Sequence, residues 1–323
     1  MTNNKSNRKP ICKAQQKNSV TAALITLITL FATFALTLFF SDKISHSVKS
    51  GLSLCANVII PSVFPFIILS DFLYFTIDFS SLKFFGDIFE RIFKINRIGL
   101  YPFILGVLCG FPLGVKCASE LYLDGKLTKD ECERLIGFSN NTGPAFLVCG
   151  IGLGLRQNIC EGFILYFVTV ISAVLVGILF SIGKAASVGN FTVCQKKSFS
   201  VTESIKNAGI NTLNICSYLT FFACTVGLLR NILGESLIYL SAIPFLEVGS
   251  ASSILSKTKL LSGIQSLSMT AFAIGFSGFS VHLQSLSFIS VTDIKVGRYF
   301  LMKLIQGVLS FIFTAILYSL LMS

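Results

Sequence analysis

Cys109-Gly-Phe-Pro-Leu-Gly-Val-Lys116 and Gly137-Phe-Ser-Asn-Asn-Thr-Gly-Pro144 decide how this chain is read. Both are loop-like stretches set inside apolar runs. Gly110, Pro112 and Gly114 crowd the first, and Gly143 and Pro144 stand together in the second. Proline removes a backbone donor and clashes with the preceding turn, while glycine adds backbone freedom, so each set interrupts a helix. The hydrocarbon of a bilayer tolerates interrupted backbone only where protein covers it or a wet cavity meets it. Two such stretches close in sequence therefore point to a site for transport.

The surrounding chain fits a membrane. Of 323 residues, 53% are hydrophobic and only 13% are charged, with a mean hydropathy of +0.78. A soluble domain carries about twice that share of charge. Long uncharged runs cover residues 18–41, 50–70, 98–115, 135–155, 162–183, 207–229, 260–292 and 304–323. About 20 apolar residues cross a bilayer core, so most of these runs can span, and 260–292 is too long for one ordinary crossing. The expectation is an all-α polytopic membrane protein with about 8–10 membrane segments.

A net charge of +11 raises nucleic acid as a partner, but the placement of the charge argues otherwise. Lys5, Arg8, Lys9, Lys13 and Lys17 precede the first apolar run. A short basic tail beside a span marks the cytoplasmic side, and no stacking aromatics or nucleic-acid motif accompany it. Residues 19–41 lack a small-residue cleavage site and read as an uncleaved signal-anchor. Of ten cysteines, Cys55, Cys109, Cys149, Cys216 and Cys224 lie in apolar runs and none forms a CxxC pair. Buried cysteine acts as a small hydrophobe, so neither a disulfide framework nor a metal is expected.

Taken in order, residues 1–18 are a basic cytoplasmic tail. Residues 19–183 form a first repeat with a leading span and a polar hairpin at 116–134. Residues 184–203 are a basic linker, and 204–323 a second repeat. Residues 42–60 start polar, with His46 reading as interfacial, and turn apolar before Pro61 and Pro65. Residues 83–97 place Phe85, Ile88, Phe89, Ile92 and Phe93 at helical spacing, as in an amphipathic surface helix. Thr128-Lys-Asp-Glu131 fits a capping box. In the second half, Pro244 and Glu247-Val-Gly-Ser250 interrupt one apolar segment, and Gly275-Phe-Ser-Gly-Phe-Ser-Val-His282 another. Broken or re-entrant helices in matching places of two halves are the sequence pattern of a secondary transporter.

A half-helix that begins inside the membrane presents unpaired N–H groups and a partial positive charge, a ready place for a carboxylate or phosphate. Gly110 and Gly114 would let backbone approach a solute. Asn140, Asn141 and Thr142, with Ser277 and Ser280 from the other half, would add neutral hydrogen-bonding groups, or else simply cap the breaks and bond between helices. Glu247 stands alone among uncharged residues. It would couple ions or protons, or bind backbone N–H groups at its own break. Lys116 would neutralise an anion or sit at the headgroups, and His282 would pack or relay protons. With two histidines and no HExxH or GxSxG, no catalytic constellation can be assigned, so no enzyme is expected. No cofactor or metal is expected either. The expected partners are a small anionic metabolite and the lipid bilayer, with a homo-oligomer admissible.

Asn57…Pro61-Ser62…Phe64-Pro65-Phe66, Gly110-Phe-Pro-Leu-Gly114, Ser139-Asn-Asn141…Pro144, Leu246-Glu-Val-Gly249 and Gly275–His282 resemble the YlbJ-type sporulation integral membrane proteins of endospore-forming bacteria. The resemblance runs from about residue 20 to the C-terminus. It implies membership of a wider set with the nucleoside-recognition gate domain, distantly similar to concentrative nucleoside transporters. It also implies a place in the outer forespore membrane of the mother cell, passage of dipicolinate toward the spore, and a role in cortex formation. No sodium site or nucleoside-binding acid pair matches. A scaffold for cortex assembly that moves nothing, or a transporter of nucleosides, is the alternative reading.

Overall fold

The computed structural model describes residues 27, 31, 38–76, 83–185 and 200–322. The basic tail, most of the expected leading span at 19–41, and linker residues 186–199 lie outside the described residues. The chain divides into two compact units, Met1–His46 and Ser47–Ser323. What is described of the first ends in the opening turns of α1 (Ser41–Leu54).

The second unit is helical, with no strand among the described residues. A π-helical turn at Cys55–Ile59 leads to α2 (Ile60–Thr76), which carries Pro65 inside it. Pro61 has no N–H to return to the preceding turn, so the backbone widens just ahead of it. Next come α3 (Lys83–Phe93), α4 (Leu100–Leu108), α5 (Leu113–Leu123) and α6 (Lys129–Ser139). A π-helix at Ala145–Leu155 and α7 (Ile159–Leu179) follow. The later half contains α8 (Val201–Leu233), α9 (Leu237–Leu246), α10 (Val248–Leu255), α11 (Gly263–Phe276), α12 (Gly278–Ile289) and α13 (Val296–Met322).

Among the described residues, four stretches are long and apolar enough to cross a membrane: Ile159–Leu179, Val201–Leu233, Gly263–Ile289 and Val296–Leu320. A fifth is the bent pair Ser41–Ile59 and Val63–Leu69. The rest of the membrane segments are short. The overlong run at 260–292 resolves into one interrupted crossing, α11 and α12, with a left-handed residue, Ser277, between them. Large apolar side chains such as Phe163, Phe167, Ile171 and Leu175 on α7 point outward and stay exposed. A lipid-facing surface asks for this, whereas a water-facing one would not. The chain is an all-α polytopic membrane protein.

The elements recur in the same order. A short hairpin (α4–α5, then α9–α10) is followed by an interrupted crossing (α6 with the π-helix, then α11 with α12) and by an unbroken span (α7, then α13). Both interrupted crossings open with a capping box, Thr128 with Glu131 and Ser262 with Gln265.

Polar contacts fix which ends lie together. Asp130 at the start of α6 binds Lys184 just beyond α7 (3.1 Å) and Arg298 at the start of α13 (2.8 Å). Lys129 binds Asp293, between α12 and α13, at 2.7 Å. Buried Arg134 donates to the carbonyls of Phe93 and Lys94 at the end of α3. At another place Arg156, after the π-helix, donates to Ser266 on α11 (3.1 Å), and Ser266 donates to the Leu255 carbonyl of α10 (2.6 Å).

The core beside the first of these clusters is aromatic. Phe93 stacks on Phe138 with ring centroids 4.7 Å apart, and Phe89 and Phe103 close the group. Thus α3 sends Phe89 and Phe93 inward while Phe85, Ile88 and Ile92 remain exposed. The amphipathic reading was correct about the helix but treated one apolar stripe as a single face.

Candidate functional site

Four interruptions meet in one place. In the first, between α4 and α5, Gly110 adopts φ 88. A side chain there would be strained, and its Cβ would meet the Gly143 nitrogen at 2.8 Å. The first break thus lies directly on the second, the loop from Asn140 to Pro144. In the later half, Gly278 (φ 62) lies against the third break, where a Cβ would come within 3.2 Å of the Leu246 carbonyl oxygen.

At the third break, Glu247 ends α9 and caps α10. Its carboxylate accepts from the N–H groups of Gly249 (2.6 Å) and Ser250. The N-terminus of α10, one of the places expected to bind an anion, is therefore already filled by the chain's own carboxylate. The N-termini of α5, the π-helix and α12 carry no side-chain cap.

Between these breaks lies a cavity of about 60 Å³, room for several waters. All four breaks contribute to it: Gly110 and Phe111, Thr142 and Gly143, Glu247 and Gly249, Ser280 and Gln284. Phe66, Phe146 and Leu219 supply apolar wall. Thr142 Oγ1 and Gln284 Oε1 are buried and have no hydrogen-bond partner in the fold. A buried polar atom without a partner is costly, so these two lining residues hold hydrogen-bonding capacity that the fold itself leaves unused.

Of the residues read from sequence as the site, Gly110, Thr142, Glu247 and Ser280 line this cavity. Asn140 and Asn141 do not. Asn140 donates to Ser285 Oγ (3.0 Å) and to the Tyr299 hydroxyl (2.9 Å), and Asn141 donates to the Phe138 carbonyl (2.7 Å). His282 Nδ1 shares a hydrogen bond with the same Tyr299 hydroxyl at 2.9 Å. Ser277 is buried with its Oγ toward the Ile274 carbonyl. Gly114 gives room for the Ser139 carbonyl, and Lys116 is half-buried on α5, away from the cavity lining.

The sequence reading missed the layer behind the loop. Lys303 is fully buried on α13, donating to the Asn140 carbonyl (2.7 Å) and to Gln306 Oε1 (2.7 Å). Gln306 in turn donates to Asn141 Oδ1 (2.8 Å) and to the Thr169 carbonyl on α7 (3.2 Å). The ammonium thus sits at the C-terminal end of α6, where helix carbonyls lack partners and a cation is favoured. It holds the loop that carries Thr142. A signal existed: Tyr299, Lys303, Gln306, Ser310 and Thr314 recur every three or four residues, one polar stripe on an apolar span, and all five are buried.

No family model matches the chain, and no solved structure matches it. Among curated proteins it is similar to the sporulation integral membrane protein YlbJ of Bacillus subtilis (strain 168). The two are 25% identical over 316 residues, covering 84% of this chain and 76% of the relative. The likeness to YlbJ-type sporulation integral membrane proteins thus extends from the interrupted segments to most of the chain.

Proposed function

We propose that this membrane protein is a transporter of a small anionic metabolite, with dipicolinate as the candidate substrate and the outer forespore membrane as its place, as the family resemblance implies. In this reading the two runs of hairpin, interrupted crossing and span are inverted repeats, and the solute is held between their breaks. The observation that carries it is the meeting of all four interruptions in one cavity, since broken backbone at membrane depth is kept where it lines a path for solute. The cavity's chemistry suits a flat, partly apolar anion. Phe66, Phe111 and Phe146 give aromatic wall, Thr142 gives a free hydroxyl, and the uncapped N-termini of the π-helix and α12 give N–H groups.

Reconstituted full-length protein should speed dipicolinate flux across liposomes above that of empty vesicles. Thr142→Val should cut that flux severalfold with no loss of thermal stability, because its hydroxyl has no partner in the fold to lose. Folded protein that moves neither dipicolinate nor nucleosides would leave the scaffold reading in its place.

A further inference from the structure

Glu247 is the feature of the cavity that anion transport leaves unexplained. It is 4% exposed and lines the cavity. Its carboxylate accepts from backbone N–H groups within its own break, at Gly249 and Ser250. No lysine, arginine or histidine lines the cavity among the described residues.

The elements packed around the third break put no basic side chain into the cavity either: α8 carries Lys206 near its start and Arg230 near its end, where Arg230 pairs with Glu235, and neither lines the cavity. The π-turn gives Cys55 and α8 gives Cys216, which bond each other through Cys55 Sγ and the Cys216 carbonyl (3.8 Å). The end of α4 gives Cys109, α9 gives buried Tyr239, and the π-helix gives Cys149, which is exposed. On α12, His282 bonds Tyr299 through Nδ1, while its Nε2 is buried without a partner and the residue stays outside the cavity lining. Behind them, Lys303 is engaged by Asn140 and Gln306. Helices α10 and α11 contain no titratable residue.

An anion that enters this cavity therefore shares a buried space with a carboxylate and no facing cation. Two like charges in such a site do not both stay ionised; the pair is held together by taking up one proton. The free acceptors Thr142 Oγ1 and Gln284 Oε1 line the same space and are suited to receive the hydrogen bond of a protonated carboxyl.

We infer that Glu247 takes up a proton as the anion binds and gives it back as the anion leaves, so that the protein moves an anion and a proton together. On binding, a carboxylate oxygen of Glu247 forms an O–H bond with a proton from water. On release that bond breaks, its electron pair stays on the carboxylate, and the proton returns to water on the side the anion reaches. This rests on the transport reading, and the test separates the two.

The experiment is calorimetric titration of the purified full chain with dipicolinate at about pH 6.5, above the ordinary carboxylate range near 4. It is run in buffers of different ionisation enthalpy, so that protons taken up per anion are read directly. The native protein should take up about one proton per anion bound. Glu247→Asp should keep that uptake. Glu247→Gln should bind the anion with uptake close to zero. Anion binding by the native protein without proton uptake, or undiminished uptake in Glu247→Gln, would overturn the coupling while leaving transport standing. No dipicolinate binding at all would overturn both. The native measurement alone decides the matter if the Gln variant loses its helix cap and fails to fold.

Discussion

Asp130 shows how much a single surface residue can join in this protein. It receives Arg134 (3.0 Å) from its own helix, Lys184 (3.1 Å) from beyond α7 and Arg298 (2.8 Å) from α13. Partial burial by itself pushes the Asp130 carboxyl up, but the hydrogen bonds from Arg298 and Lys184 and the charge of Arg134 outweigh it and hold it at about 2. A carboxyl held below its unfolded value near 3.9 stabilises the fold above that pH, and the contribution is lost as pH falls through about 2. Thermal unfolding in detergent should therefore show Asp130→Asn melting several degrees below the native protein at neutral pH, with the gap closing as pH approaches 2. A gap that stays constant down to that pH would mean the carboxylate's charge contributes nothing. Solvent screening limits the size, since the side chain is 41% exposed. Asp130 was legible in sequence only as part of a polar hairpin. Its partners lie 54 and 168 residues away, a separation that no local pattern reports. Lys303 was hidden for a different reason: reading spans between charges makes every lysine a boundary, and this one lies two turns inside its helix.

At the scale of elements, interrupted helices are arranged through glycine. A Cβ on either Gly106 of α4 or Gly114 of α5 would overlap the Ser139 carbonyl at the end of α6. The α4–α5 hairpin thus grips the helix end just before the loop that supplies Thr142. Gly114→Ala should cost about 1–3 kcal/mol, the usual penalty for forcing an extra carbon into a packed site. The chemical-denaturation or thermal midpoint in detergent would report it, and an unchanged midpoint would show that the hairpin shifts freely. Breaks of this kind are the part of the fold most open to sequence reading. Glycine and proline interrupt helices through local backbone chemistry, and the capping box at Thr128 and Glu131 was legible for the same reason. The π-helix at Ala145–Leu155 was not, because its residues are as apolar as those of any span. Nor was the turning of Asn140 and Asn141 away from the cavity, which Ser285 of α12 and Tyr299 and Gln306 of α13 decide from two other helices.

For the whole second unit, polar contacts divide the helix ends between two membrane sides. One gathers the start of α6, the chain beyond α7 and the α12–α13 turn, through Asp130, Lys184, Asp293 and Arg298. The other gathers the end of the π-helix, the end of α10 and the start of α11, through Arg156 and Ser266. The crossing made by α6 and the π-helix therefore runs from the first side to the second, and the crossing made by α11 and α12 runs back. The two halves then have opposite senses, the arrangement that lets one set of breaks face another across the membrane midplane. The first side is the more basic, with Lys94, Arg97, Lys126, Lys129, Lys184, Lys295 and Arg298 against Arg156, Arg230, Lys257 and Lys259, so the excess of Lys and Arg leads us to propose that it faces the cytoplasm. Single cysteines at exposed positions test this in a background with all ten native cysteines changed to serine. Asp124→Cys should react with an impermeant thiol reagent only from the cytoplasmic side, and Lys259→Cys only from the opposite side. Labelling of both from one side would sink the opposed arrangement, whereas labelling in the reverse sense would keep the arrangement and invert its orientation in the membrane.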